Sequence, residues 1–157
     1  MIMTTTLLLM ISCQQEAPAP LPISFDYSAQ YPLKVAGPVQ VTLKGEITAP
    51  STITLNYAAK THIHAKTIEG PYKTIVTRYH WSGALPPDQT DALLAALSGS
   101  HPLPTPEDLH TPTLSIQHDD GSTTTGAAGA LLEPTLNWLI ENRTKETPLN
   151  EQTNLAQ

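Results

Sequence analysis

The sequence predicts an α+β domain: an antiparallel sheet of about six strands with two short helices, placed after an apolar leader and a Pro-rich tether. Three observations carry that expectation. Apolar and polar residues alternate with the two-residue period of half-buried strands in several separate stretches. Turn-forming clusters, not helix-length connections, separate most of them. Two Ala/Leu-containing stretches each follow a proline, which suits the first turn of a helix. Fifteen prolines and 22 threonines in 157 residues fit strands and turns better than a helical bundle.

The elements follow in order. Val39, Val41, Leu43 and Ile47 alternate with Gln40, Thr42, Lys44 and Glu46, a strand with one wet face. Ala49-Pro50-Ser51 is a turn, and Ile53, Leu55 and Tyr57 alternate again beyond it, so the two runs predict a hairpin. Thr61 to Ile68 reads as a third strand. The turn cluster Glu69-Gly70-Pro71-Tyr72 leads to a fourth, in which Ile75, Thr77, Tyr79 and Trp81 share a side. Pro86, Pro87 and Asp88 open a helix that buries Leu93, Leu94 and Leu97 and ends at Gly99. Ser100 to Pro112 holds four prolines and must run as an extended surface loop. Leu114 and Ile116 begin another strand, turned at Asp119-Asp120-Gly121-Ser122 into Thr123-Thr124-Thr125. A last helix opens near Glu133-Pro134 and lines up Leu136, Leu139 and Ile140, flanked by Trp138. From residue 144 to 157 the chain is polar and aperiodic, a frayed tail. The alternative architecture is a β-sandwich-like half to about Trp81 with the helices packed at one end. In either case residues 23–143 form one domain with a single modest core.

Net charge is −6 and only 14% of residues are charged, which argues against a nucleic-acid binder held by phosphate contacts. The apolar run Leu7 to Ile11 is roughly half the length needed to span a bilayer. It ends in Met10-Ile11-Ser12-Cys13, which resembles the lipobox of bacterial lipoproteins. The resemblance implies a signal peptide over residues 1–12 and acylation of the Cys13 thiol. It also implies a Pro-rich tether over residues 13–22, lifting the domain off a membrane. Gln14 after the cysteine resembles the outer-membrane sorting pattern, so the expected address is the bacterial cell envelope, facing the periplasm. Because Cys13 is the only cysteine, an intramolecular disulfide is excluded.

No GxSxG elbow, HExxH motif, phosphate-cradling glycine loop or cysteine pair occurs, and no cofactor or enzymatic activity is expected. Asp119 and Asp120 lie in an exposed turn, where ordinary carboxylates make poor general acids near neutrality. His62 and His64 share one side of a strand, and His80 could approach from a neighbour, a neutral nitrogen set that suits zinc or copper. The same alternation also describes a plain solvent face, with Lys66 and Arg78 beside the imidazoles repelling a cation. Trp81, Trp138, Tyr72 and Tyr79 are expected to pack the core and helices. The loop carrying Pro102, Pro104 and Pro106 is stiff and would lose little entropy on docking to a protein partner.

From Ile68 to Asn142 the order of elements resembles the emfourin family of inhibitors of thermolysin-like metalloproteases. The matching features are a strand ending before Leu85-Pro86-Pro87, the helix at Asp91 to Leu97, the strand Thr113 to Ile116, the turn Asp119-Asp120-Gly121, and the closing helix Pro134 to Leu139. The resemblance implies a metalloprotease as partner. Gly70, Pro71 and Tyr72 of the first turn, with Pro102, Pro104 and Pro106, would then be the contact segments. The expected function is that of a membrane-anchored, non-enzymatic protein-binding or envelope-structural module, with protease inhibition and periplasmic metal binding as alternatives.

Overall fold

The structure, a computed structural model, describes residues 21–32, 37–48, 51–65, 73–99 and 102–146. Seven strands form one antiparallel sheet: β1 (Pro22–Gln30), β2 (Gln40–Thr48), β3 (Thr52–Ala65), β4 (Lys73–Ala84), β5 (Thr113–His118), β6 (Thr123–Ala127) and β7 (Thr144–Glu146). Their spatial order is β6-β5-β1-β2-β3-β4-β7. Two helices, α1 (Pro87–Ser98) and α2 (Glu133–Asn142), and a short 3-10 turn (Gly129–Leu132) accompany the sheet. The expected α+β class is what forms, as a two-layer arrangement around a single sheet and not as a sandwich.

The strand count differs from six for three separate reasons. β1 lies in the stretch after the tether, where Phe25, Tyr27 and Ala29 point inward and Ser24, Asp26 and Ser28 outward. Pro22, read as the end of the tether, is its first residue and is buried; a strand's first position tolerates the missing N–H. The runs read as separate second and third strands are one strand, β3, because Ala58-Ala59-Lys60 contains nothing that breaks a ladder. β7 falls in the segment read as a frayed tail. It pairs Thr144, Lys145 and Glu146 with His80, Tyr79 and Arg78 along the backbone and exposes all three side chains.

One face of the sheet is the core. Across four neighbouring strands the register places Tyr27 beside Leu43, Leu43 beside Tyr57, and Tyr57 beside Trp81. Leu93 and Leu97 of α1, Leu132, and Leu139 of α2 close over this face. Trp138 of α2 meets Trp81 edge-on, with ring centroids 5.3 Å apart, and so fixes α2 over β4. Opposite Phe25 the chain has Gly45, and the Phe25 ring occupies the space a Cβ would need. The other face is polar, with Asp26 and Lys44 forming an exposed ion pair at 3.3 Å.

Because β3 and β4 are the longest strands, their far ends overhang the helical layer. Ile63 and Ile75 stand opposite one another there. Ile63 has the inward phase expected of it, yet it is 55% exposed, because no helix among the described residues reaches that far. The Pro-rich loop is not a free connection. Pro104 accepts a hydrogen bond from the Ala127 N–H (2.6 Å), Pro112 accepts one from Ala128 (2.9 Å), and Leu103 packs against the core. The loop therefore covers the outer edge of β6, one of the ways a sheet edge is protected.

Candidate functional site

At the end of the sheet where β1 finishes and β2 begins, α2 and the sheet do not close completely. A cavity of about 450 Å³ remains, bounded by Tyr27 and Tyr31, Pro38 and Val41, Tyr57, and Leu136 and Ile140 of α2. Pro112, the last residue of the Pro-rich loop, also lines it, and exposed Glu133 and Asn137 stand on the α2 side. The local sequence accounts for each wall. Tyr27, Val41 and Tyr57 occupy inward positions of adjacent strands, while Leu136 and Ile140 are four residues apart on one helix face. This mostly apolar cleft with a few polar groups has the character of a small-ligand site.

Those polar groups are not at rest. Tyr57 is 3% exposed and its hydroxyl has no hydrogen-bond partner. Burial pushes its pKa up, while the nearby Arg143 guanidinium pulls the other way. Arg143 lies 3.7 Å over the ring of Tyr79, on the strand next to β3, and its Nη1 is buried without a partner. Burial, aided by Tyr31, likewise raises Tyr27 well beyond the ordinary phenol range. Both buried phenols stay protonated near neutrality, and that of Tyr27 is already engaged with Tyr31.

His62 and His80 take the outward phase of β3 and β4, as the alternation predicts, but they do not converge. His80 is opposite Ala58 and His62 opposite Val76. The two positions are therefore four residues apart along the ladder, roughly 13 Å, too far to share one ion. His80 Nδ1 instead approaches Glu146 Oε1 at 3.5 Å, and the His62 Nε2 is buried without a partner. His64 lies on β3 opposite Thr74. Among the described residues no group of three His, Cys, Asp or Glu side chains could hold a metal ion.

Cys13 and the turn Gly70-Pro71-Tyr72 lie outside the described residues. Pro102 and Pro104 are exposed and Pro106 is half-buried on the loop along β6. Farther along this loop the Asp108 carboxylate accepts the N–H groups of His110 and Thr111, each at 2.8 Å. The resulting turn holds Leu109 98% exposed at its tip. Asp120, though exposed, is held below the usual carboxylate range by the Ser122 hydroxyl and N–H, which takes it further from general-acid use. No helix among the described residues is long and apolar enough to cross a membrane.

Sequence reasoning did not foresee the cavity. Its tyrosines come from β1, from the residue just past β1 and from β3; the one available signal was tyrosine in inward strand phase. No protein-family model, no curated protein and no solved structure matches the chain.

Proposed function

We propose that this protein is a small bacterial lipoprotein, anchored in the cell envelope through acylated Cys13, whose α+β domain is a non-enzymatic binding module. One geometric observation carries the reading beyond the lipobox-like Met10-Ile11-Ser12-Cys13. The chain enters the sheet at Pro22, paired with His118, whereas the cavity opens at the opposite end of β1, where Tyr31 and Pro38 stand. Pro22 is nine residues on from Cys13, a reach of at most about 30 Å. An anchor at Cys13 would thus be tied to the end of β1 remote from the cavity and would not block its mouth. The test is fractionation with intact-mass analysis. The natural product should carry acyl groups and sediment with membranes, and Cys13→Ser should release it. Unchanged membrane association of that variant refutes the anchor.

A second reading is favoured by a different observation: a stiff loop that presents one fully exposed leucine, Leu109, is a shape that fits the cleft of a protease. Inhibition of a thermolysin-type metalloprotease then predicts loss of protease activity near one-to-one stoichiometry, weakened by Leu109→Ala. Full protease activity at large molar excess of the protein removes this reading.

A further inference from the structure

We propose that the open edge of β4 over residues 74–77 is a strand-pairing surface for a second copy of this chain. The two edges would run antiparallel about a two-fold axis beside Ile75, joining two sheets into one. This inference goes beyond the binding-module reading and does not depend on the lipid anchor.

Hydrogen-bond phase identifies the open groups. The Leu85 N–H donates to the Ile53 carbonyl at 2.8 Å, and the β3–β4 register runs on from there without a shift to Ala65 opposite Lys73. Hydrogen-bonded pairs alternate along such a ladder, so Ile75 and Thr77 turn their backbone groups toward β3, while Thr74, Val76, Arg78 and His80 turn theirs the other way. β7 meets Arg78 and His80 and stops. Val76 and Thr74 face no described strand on that side. Continuing the β7 register would set Pro148 against Val76, where the ladder needs an N–H that proline lacks, so the chain's own continuation is a poor cover.

The surface is also apolar and uncharged. Ile63 and Ile75 stand side by side on the face the helices leave bare, 55% and 39% exposed. Thr74-Ile75-Val76-Thr77 is entirely β-branched and carries no charge, proline or bulge, the devices that usually blunt an exposed edge. The opposite edge of the sheet, at β6, has its covering loop. A second copy fits because the open segment is its own complement. Centred on Ile75, the two-fold sets Val76 against the partner's Thr74, so each N–H meets a carbonyl. The Ile75 side chains then touch across the axis, and no like charges face each other within the segment. Such a contact is well under the roughly 1,000 Å² of a stable interface, so the expected dimer is weak and reversible.

The experiment uses the full chain carrying Cys13→Ser. Sedimentation at concentrations up to about 1 mM should show a reversible monomer–dimer equilibrium, and the Val76 amide should gain hydrogen-exchange protection as dimer forms while the Leu43 amide does not change. Val76→Pro removes the edge donor without touching the β3 ladder, and Ile75→Lys charges the contact; each should weaken association by about tenfold or more. With Ile75→Cys as the sole cysteine, the paired Cα atoms would be about 4.5 Å apart, within disulfide range. Oxidised glutathione should then link that variant into dimers at least about tenfold faster than a Thr42→Cys control on the outward face of β2. A monomer throughout the concentration range overturns the proposal, as does a dimer in which the Val76 amide stays as open as in the monomer. An Ile75→Cys variant that folds and links no faster than the control overturns it too. Sedimentation and exchange are read on the unaltered edge, so the outcome survives any variant that fails to fold. None of these results bears on the Cys13 fractionation.

Discussion

Replacing Gly126 with alanine should lift the Pro-rich loop off the sheet. A Cβ at this position would stand 2.7 Å from the Pro104 carbonyl oxygen and 2.9 Å from that of Leu103, and would overlap the Leu103 Cβ. Two of those atoms are backbone, so no side-chain rotation relieves the contact. β6 is held by its ladder to β5, in which Gly126 faces Leu114, so the loop is the part that moves. Its departure removes the hydrogen bond from Ala127 to Pro104, worth about 1 kcal/mol net. It also returns the half-buried Leu103 to water, about another 1 kcal/mol. The chain-entropy gain of Gly→Ala offsets part of any residual strain, so the expected loss is about 2 kcal/mol. For a domain of this size that is a fall of roughly 8 °C in Tm. Urea unfolding gives the energy, and hydrogen exchange at the Ala127 amide locates it: that amide should lose protection while the Leu43 and Leu55 amides keep theirs. Gly121→Ala is the control. Gly121 has φ +83 but open space around it, so it should cost about 1 kcal/mol through backbone strain and leave Ala127 protected. A Gly126→Ala protein within about 0.5 kcal/mol of wild type, with Ala127 still protected, refutes the loop packing.

Two further outcomes follow from the same contacts. A double-mutant cycle with Trp81→Leu and Trp138→Leu should return a coupling of about 0.5–1.5 kcal/mol, the edge-to-face term beyond simple burial; additive losses would show that α2 is fixed by something else. The Asp108 carboxyl is held below its ordinary range by the N–H of His110 and the hydroxyl and N–H of Thr111. Because the folded pKa is the lower one, the turn's stabilisation is complete above the unfolded pKa of about 4 and is lost as pH falls through the folded value. The amide shifts of His110 and Thr111 should therefore titrate together below pH of about 4, and Asp108→Asn should abolish that titration; flat shifts over the acid range would count against the turn.

Local pattern was enough for the hairpin of β2 with β3, for β5 with β6, and for both helices, because each is announced within a dozen residues. Alternation marks Val41, Leu43, Ile53 and Leu55, and prolines open α1 and α2. β1 carries the same alternation but abuts a Pro-rich stretch, and its place between β2 and β5 depends on pairing with residues about 90 positions away, such as Phe25 with Ile116. β7 has no inward side chain to announce it. Its three residues join the sheet only because α2 delivers them beside His80 and Tyr79. The phase of the histidines was legible, but their spacing was not, since the register that sets His80 opposite Ala58 is a property of the β3–β4 pair.

By itself, the amino-acid order determined the class of the domain, the inward faces of most strands, the starts of both helices and the lone thiol at Cys13, all of which are short-range matters of period, turn chemistry and composition. Only the tertiary structure decided which strands are neighbours, that the Pro-rich loop seals β6, and that Tyr27, Tyr57 and Arg143 gather at one end of the sheet. The reason is physical: a side chain's phase is set within its own strand, whereas a cavity exists only where separately specified elements meet and fail to fill the space between them.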